Sequence, residues 1–377
     1  MWSALFSSRR CPRLRFLAEP FLAAAIAASG ACTSGGSDGV APETAARDNT
    51  PTGRLPVIDM HLHAFAADAN GPPPMALCVP VLPHIPPWDP KEPWGQVFMR
   101  TMKNPPCPDP VWSPTTDEAL MSETLSAMER RNVIGVLSGT PERVRQWRAA
   151  APERFIPSVD FILGRDDIPA DEMRRLFESG EFEVFGEIAN QYAGIAPDDE
   201  RMEPYWTVAE ELDIPVAIHL GAGPPGVPYF GSGIRISQGS ALLLEDVLVR
   251  HPRMRISLMH YGHQRLDDTI ALLEHHPQVH VDLGGIQWWY PRPFFYTQLR
   301  TLVDAGFGKR VMFGSDQMNW PGLIEHAIAV IEEAPFLSDE QKRDVLYNNA
   351  ARFLRLSNEE IARHHGSGQF PSSTGAP

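Results

Sequence analysis

Eight short apolar runs alternate along this chain with eight amphipathic segments, and this alternation constrains the fold more than any other feature. Strict alternation predicts a parallel sheet covered by helices. Eight such units predict an α/β fold, a (β/α)8 TIM barrel. A doubly wound open sheet is the alternative, but no GxGxxG motif follows the first run, as a dinucleotide fold would require. The predicted strands are Leu55–His63, Val133–Gly139, Phe155–Ile162, Val184–Tyr192, Pro215–Gly221, Arg255–Gly262, Val279–Gly285 and Val311–Asp316.

Helical patterns lie between the predicted strands. The last strand is followed by a C-terminal helix, Asp339–Leu356, and residues 358–377 are predicted to be a disordered tail. We therefore assign residues 54–357 to one barrel domain. The other predicted helices are Asp117–Arg131, Pro141–Ala150, Ala170–Ser179, Glu203–Leu212, Ala241–Arg250, Leu266–His275, Phe294–Ala305 and Leu323–Glu333.

The N-terminal residues have the pattern of an export signal. Arginines at positions 9, 10, 13 and 15 precede an apolar segment, Phe21–Ala28, that is shorter than the roughly 20 residues needed to span a bilayer. Small residues then precede Cys32, which resembles a bacterial lipoprotein signal. This pattern predicts a signal peptide at 1–31, lipidation of Cys32 and a flexible tether at 32–53. Ordinary secretory cleavage and an uncleaved start are the alternatives. We expect an exported protein, periplasmic or held at a bacterial membrane only through a lipid anchor.

The charge balance excludes one class of partner. The chain has 33 Lys+Arg against 47 Asp+Glu, a formal net charge of −14. A general nucleic-acid binder needs a basic face to displace the counterions of the phosphates. We therefore expect a small-molecule substrate and no nucleic-acid partner.

Residues 64–116 form a long insertion after the first strand. Fourteen of the 37 prolines lie between Pro72 and Pro114, and long structureless loops inside compact domains are usually functional. The position of the insertion predicts a lid over the barrel mouth, with Cys78 and Cys107 joined by a disulfide in an oxidising compartment. Alternatively, Cys78 and Cys107 are two free, buried cysteines. The insertion could also serve only to pack on neighbouring helices or on a second subunit, as in a homodimer. The large aromatic residues of the lid are Trp88, Trp94, Phe98 and Trp112.

Imidazole and carboxylate side chains mark the predicted carboxyl ends of the strands. In the first strand, Asp59, His61 and His63 alternate with apolar residues such as Ile58 and Met60. This alternation predicts histidines inside the barrel and apolar side chains against the helices. Active sites of such barrels lie at the carboxyl ends of the strands, and these side chains are ligands for a divalent metal such as Zn²⁺. The matching residues of strands four, five, six and eight are Glu187, His219, His260 and Asp316.

These motifs, in this order, resemble the amidohydrolase superfamily and, within it, the amidohydrolase-related (amidohydrolase-2) family. The resemblance implies that His61, His63, His219 and Asp316 are metal ligands. It also implies that His260 is a catalytic or ligating histidine. The matching segments are Ile58-Asp59-Met60-His61-Leu62-His63, Pro215-Val216-Ala217-Ile218-His219, Leu258-Met259-His260-Tyr261-Gly262, Val281-Asp282-Leu283-Gly284, Phe313-Gly314-Ser315-Asp316 and Asn349-Ala350-Ala351-Arg352-Phe353-Leu354.

The resemblance leaves the number of metal ions open. In single-metal members His260 would hydrogen-bond the water at the metal, whereas two-metal members have a carboxylated lysine or a glutamate that bridges the ions. The four lysines of this chain lie far from strand four, but Glu187 lies in that strand. Glu187 is therefore either a bridging ligand, a general acid/base or a salt-bridge partner of Arg235. We expect zinc as the ion; loss of the metal is a further alternative. In the bridged arrangement, one ion would be held by His61, His63 and Asp316, and the other by His219 and His260.

The expected chemistry is attack by metal-activated water, with Asp316 taking the proton of the water and His260 or the metal stabilising charge on the substrate. We therefore expect an exported metal-dependent hydrolase of an amide, ester or lactone-type carbonyl bond. A metal-dependent decarboxylase or other lyase of the same family is the first alternative. A non-catalytic, lipid-anchored binding protein is the second. The candidate substrate-binding residues are Arg235, Gln191, Tyr192, Trp288 and Gln317.

Overall fold

A computed structural model describes residues 54–166, 168–221 and 223–366 of the chain. The predicted signal peptide, the tether and Cys32 lie outside the described residues. Eight parallel strands form one sheet in which each strand pairs with the next along the chain. They are β1 Val57–His63, β2 Val133–Ser138, β3 Phe155–Phe161, β4 Val184–Ile188, β5 Val216–His219, β6 Ile256–Met259, β7 Val279–Asp282 and β8 Val311–Met312.

Two backbone hydrogen bonds bring the first and last strands together. The Met60 amide donates to the Phe313 carbonyl at 2.9 Å, and the Asp316 amide donates to the His61 carbonyl at 2.8 Å. These bonds connect the two edges of the sheet, which therefore forms a nearly closed barrel. The predicted (β/α)8 fold is confirmed.

Helices surround the barrel, and capping residues begin several of them. The side-chain oxygens of Thr116 and Thr140 accept hydrogen bonds from backbone amides three residues later, which fixes the first turns of two helices. Within the described ranges, no helix combines the length and the apolar composition needed to cross a membrane. The helices are α1 Trp94–Lys103, α2 Asp117–Arg131, α3 Pro141–Ala150, α4 Ala170–Glu178, α5 Glu203–Glu211, α6 Glu245–Arg250, α7 Leu266–His275, α8 Ile286–Trp289, α9 Arg292–Leu302, α10 Gly322–Glu332, α11 Asp339–Arg343, α12 Asn349–Leu354 and α13 Asn358–His364.

The first strand does not alternate as strictly as the sequence predicts. The strand pairing of β1 shifts register between Asp59 and Leu62, as at a β-bulge. Ile58 and Met60 consequently lie in the inner cluster of the barrel, so the prediction that they face the helices is wrong. The inner cluster draws on seven of the eight strands and on the C-terminal helices: Ile58, Met60, Ile134, Val136, Ile156, Val184, Ala217, Met259, Met312, Tyr347, Ala350, Ala351 and Phe353.

Irregular backbone also directs two site residues into the barrel mouth. Strict alternation would put Glu187 on the face of Phe185, which packs outward among the helices. The pairing of β4 is irregular between Phe185 and Ile188 on both sides, and this irregularity turns Glu187 inward. His260 follows the end of β6 with a positive φ of 55°, so a turn rather than the strand places its side chain.

The disordered tail predicted at 358–377 is wrong for its first residues, because α13 begins there. The Ser357 hydroxyl accepts from the Glu360 amide at 3.2 Å, and the Glu360 carboxylate accepts from the Ser357 amide at 2.7 Å. This reciprocal cap starts the helix, and Ile361 then packs against the inner cluster. Residues 367–377 lie outside the described part of the chain.

The insertion after β1 is ordered by secondary structure of its own. It contains α1 and a small antiparallel sheet formed by Ala76–Leu77 and Val111–Trp112. A disulfide joins Cys78 to Cys107. The Trp94 indole donates to the carbonyl of Pro225 at 2.8 Å, which ties α1 to the loop after β5. The insertion is thereby fastened across the barrel mouth.

We expect replacement of both insertion cysteines by serine to destabilise the protein. The disulfide spans a sequence separation of 29 residues, and closing a loop of that length is worth about 3 kcal/mol in the chain-entropy description. Chemical denaturation of Cys78→Ser/Cys107→Ser should show a corresponding loss in the free energy of unfolding. Wild-type protein in reductant is the control and should match the double variant. An unchanged unfolding midpoint would contradict the role of the disulfide.

Candidate active site

Six ionisable side chains meet at the carboxyl ends of five barrel strands. His260 is the most exposed of them, and only 12% of its side chain is accessible. Buried ionisable groups at this density require partners of opposite charge. The six residues are His61, His63, Glu187, His219, His260 and Asp316.

The first subset surrounds the Nε2 atoms of the two β1 histidines. Asp316 Oδ1 lies 3.1 Å from His63 Nε2 and 3.7 Å from His61 Nε2. Glu187 Oε2 lies 3.7 Å from His63 Nε2 and 4.0 Å from His61 Nε2. Four ligand-type atoms therefore face one another across a gap of about one atom.

The second subset is built on the other oxygen of the same glutamate. Glu187 Oε1 lies 2.7 Å from His219 Nδ1 and 4.0 Å from His260 Nε2. His260 Nε2 is in turn 3.0 Å from His219 Nδ1. The two oxygens of Glu187 thus contact two different sets of imidazoles, and this carboxylate connects the two subsets.

The residues present fit a divalent metal ion. Tetrahedral coordination with bonds of about 2.0–2.2 Å places ligand atoms roughly 3.3–3.6 Å apart, and the separations in the first subset, 3.1 to 4.0 Å, bracket that value. His61 Nε2 is buried and has no hydrogen-bond partner among the described residues. An ion at this position would satisfy that nitrogen, which is otherwise costly to bury.

Asp282, at the end of β7, orients two of the histidines. Its Oδ2 lies 3.3 Å from His61 Nδ1, and its Oδ1 accepts from the backbone amide of His260 at 3.0 Å. His260 Nδ1 is 2.8 Å from the Gly284 carbonyl, which can only accept, so Nδ1 carries the proton and Nε2 presents its lone pair to the cluster. Such outer hydrogen bonds fix the tautomer of a ligating histidine.

The electrostatics of the cluster favour positive charge. Burial disfavours the charged form of His61, but Asp282 and Asp316 outweigh burial and raise the pKa of His61 to about 10. Burial also opposes ionisation of Glu187, yet His219 and His61 hold its pKa well below the usual range. The carboxylates that attract a proton to this cluster would equally stabilise a metal cation in its place.

The cluster forms the floor of a pocket with an apolar, aromatic wall. The pocket encloses about 880 Å³, part of which is open to solvent. The described lining residues include neither lysine nor arginine, and both carboxylates among them, Glu187 and Asp316, belong to the cluster. The insertion supplies Phe65, Asn70, Leu77, Phe98 and Met102 to this wall. The aromatic lining residues are Phe65, Phe98, Tyr192, Trp288, Trp289, Tyr290 and Trp320.

Two of the five candidate substrate-binding residues line the pocket. Tyr192 packs on His219 with ring centroids 4.8 Å apart, and Trp288 donates from its indole to the Ser315 carbonyl at 2.7 Å. Arg235 is exposed and donates to the carbonyl of Ile234 at 2.7 Å. Within the described residues, Arg235 forms no salt bridge with Glu187, so that predicted pairing is wrong. Arg235 is also not among the residues that line the pocket, and its binding of substrate stays a prediction.

The two candidate glutamines support the site from outside the pocket wall. Gln317 accepts from the His63 amide at 3.0 Å and donates to the His63 carbonyl at 2.7 Å. It therefore holds the end of β1 in place. Gln191 donates to the Gly221 carbonyl at 2.5 Å and to the Arg235 carbonyl at 3.1 Å. Neither glutamine is among the described residues that line the pocket, so direct substrate binding by either one stays a prediction.

Sequence reasoning missed Phe65 and Asn70. Phe65 stacks on His63 with ring centroids 4.3 Å apart. Its position two residues after His63 could have indicated that it lies at the carboxyl end of β1, beside the site. Asn70 lies deeper in the insertion, away from the end of any predicted strand, so the strand pattern does not indicate that it reaches the pocket.

Comparisons with known proteins agree with this geometry. The sequence model of a family described as Amidohydrolase (Amidohydro_2) matches residues 58–356. The curated γ-resorcylate decarboxylase of Rhodococcus jostii (strain RHA1) is 25% identical over 266 residues, which are 60% of this chain and 79% of that protein.

Solved structures share the fold. An uncharacterized TIM-barrel protein from Bordetella bronchiseptica is 16% identical with a TM-score of 0.53, covering 82% of this chain and 100% of that one. A probable 2-pyrone-4,6-dicarboxylic acid hydrolase from Acinetobacter baumannii is 13% identical with a TM-score of 0.50. The match covers 80% of this chain and 100% of that one.

We expect Asp282→Asn to weaken metal binding by about 10- to 100-fold, because such outer carboxylates orient the ligating histidines. Competition with a chelator of known affinity measures the change. Asp267→Asn, at an exposed aspartate on α7, is the matched control and should bind metal as the wild type does. Equal metal affinity in both variants would show that Asp282 does not orient His61.

Proposed function

Because this chain belongs to the amidohydrolase family, as the match over residues 58–356 shows, we propose that it hydrolyses a carbonyl-type bond in a small aromatic molecule. The bond is an amide, an ester or a lactone. The observation that carries the proposal is the convergence of six metal-ligand-type side chains at the base of an aromatic pocket, which five of them line. The family and its enzyme relatives make the chain an enzyme, so a non-catalytic binding role is not proposed.

We propose a pair of zinc ions shared by Glu187. The support is that its Oε2 faces His61 and His63, whereas its Oε1 faces His219 and His260. Nitrogen and carboxylate donors of this kind suit zinc. When bound, such ions polarise a carbonyl oxygen and lower the pKa of bound water from 15.7 to about 7.

Asp316 is the proton acceptor of the proposed reaction. Burial opposes its ionisation, but His61, His63 and His260 keep its pKa below the usual value, so it is a carboxylate near neutral pH. No described residue hydrogen-bonds its Oδ2, and Asp316 lines the pocket. Asp316 Oδ2 is therefore able to take a proton from a water molecule attacking the substrate and to return it to the leaving group.

His260 and the wall residues prepare the site for this transfer. Burial and the neighbouring His219 and His61 lower the pKa of His260 to about 4, so its imidazole is neutral and Nε2 keeps its lone pair. Phe98 and Trp288 cover the floor with apolar surface, which limits the water that reaches the reacting bond and strengthens the electrostatic interactions there.

Decarboxylation of an aromatic carboxylic acid is the second candidate. Two observations favour it: the similarity to the Rhodococcus decarboxylase and an aromatic pocket with the cation-favouring cluster at its base, where a substrate carboxylate could be held. In that reaction the cluster would hold the carboxylate, and Asp316 would carry the proton that replaces CO₂ on the ring.

Export and lipidation at Cys32 remain part of the proposal. The arginine-rich start, the apolar segment Phe21–Ala28 and the small residues before Cys32 support it. The disulfide between Cys78 and Cys107 adds support, because such bonds persist in oxidising compartments. A homodimer stays a prediction.

A substrate panel in ¹⁸O-labelled water separates the two reactions. We expect aromatic esters, lactones or anilides to be cleaved with one ¹⁸O atom entering the product, because water is the nucleophile. The measurement is mass spectrometry of the products together with quantification of CO₂. Stoichiometric CO₂ release from an aromatic acid, with no label in the product, would replace hydrolysis by decarboxylation.

Glu187→Gln should lower the metal content from two ions per chain towards one, because the amide cannot bridge two cations as a carboxylate does. Elemental analysis of protein purified without chelator provides the measurement. Glu200→Gln, at an exposed glutamate, is the control and should keep both ions. One ion in the wild type and in both variants would rule out the shared site.

A further inference from the structure

A buried amide network fixes the orientation of one side chain on the pocket wall. Asn319 Nδ2 donates to the carbonyls of Ala66 at 2.6 Å and Ala67 at 3.1 Å. Carbonyls only accept, so the amide of Asn319 has one possible orientation and its Oδ1 is left as an acceptor. Asn70 Nδ2 donates to that oxygen, and this bond orients the amide of Asn70 in turn.

The network leaves the carbonyl oxygen of Asn70 without a partner. Asn70 is 1% exposed, and its Oδ1 has no hydrogen-bond donor among the described residues. Asn70 also lines the pocket above the cluster. A buried amide oxygen without a donor is costly, and a ligand that brings a donor removes this cost.

The surroundings of Asn70 restrict the chemistry of that ligand. Leu77, Phe98, Met102 and Trp320 share its pocket. A cationic substituent would gain little from one neutral oxygen in such an apolar setting, and an anionic one would be repelled by it. A neutral hydroxyl or N–H group fits, because it donates one hydrogen bond to Asn70 Oδ1 and carries no charge that would lose its hydration in the apolar pocket.

We propose that Asn70 determines specificity by accepting a hydrogen bond from a hydroxyl or N–H substituent on the ring of the substrate. This inference rests on the proposed function, in which an aromatic molecule reacts at the cluster, and it adds the substituent by which the pocket selects that molecule. Sites built to hydrogen-bond a substrate hydroxyl reject analogues without it far more strongly than apolar pockets do. The insertion would thus provide specificity while the barrel strands provide the chemistry.

Binding of matched benzoates to the zinc-loaded full chain tests the proposal. The probes are benzoate and its hydroxy, amino and methoxy derivatives at the 2, 3 and 4 positions, measured by isothermal titration calorimetry. We expect at least one hydroxy or amino derivative to bind 10-fold or more tightly than the methoxy derivative at the same position. In Asn70→Leu that ratio should fall below about 2.

Two further variants keep the result interpretable. Asn104→Leu replaces an exposed asparagine of the same insertion and should preserve the preference. Asn70→Ala, which needs no additional space, serves if Asn70→Leu does not fold. Equal binding of hydroxy and methoxy probes by the wild type, or a preference that survives both Asn70 variants, would overturn the role of Asn70 alone. Failure of every benzoate to bind would instead contradict the proposed aromatic substrate, and the inference with it.

Discussion

Attraction between buried imidazoles and carboxylates at the barrel mouth is the interaction on which the site depends. Glu187 and Asp316 lie within 4.0 Å of the histidines of three strands, and water has little access to any of them. In such surroundings charge interactions are strong, and an uncompensated charge is expensive. The cluster therefore has a marked preference for a cation at its centre, and the family to which the chain belongs uses metal ions.

The fold supplies this arrangement by combining a regular barrel with local irregularities. The parallel strands bring their carboxyl ends to one face, where loops from all of them meet. Register shifts in β1 and β4 and the turn at His260 then aim individual side chains. The insertion, fastened by a disulfide and by the indole of Trp94, adds the upper wall. Chemistry and specificity consequently come from different parts of the chain.

The barrel and the residues of the cluster could be predicted because both depend on short segments of sequence. The alternation of apolar runs and amphipathic segments indicated the barrel, and the histidines and carboxylates near the ends of the apolar runs indicated the cluster. The bounds of α2, α3 and α7 were predicted without error from the amphipathic pattern of each segment, and threonine caps begin the first two helices. The inward position of Ile58 and the route by which Glu187 turns inward could not be predicted, because register shifts depend on pairing between distant strands. Arg235 was misplaced for a related reason: loop conformation, which strand order does not specify, turns its side chain onto neighbouring carbonyls. Asn70 escaped detection because its significance arises only from contact with Asn319, 249 residues away.

The most direct test of the account is anomalous diffraction at the zinc edge from crystals of the zinc-loaded protein. Two peaks are expected: His61 and His63 would hold one ion, His219 and His260 would hold the other, and Glu187 would be a ligand of both. A single peak bonded to the β1 histidines would contradict the shared arrangement. No peak at the cluster would contradict the metal site itself.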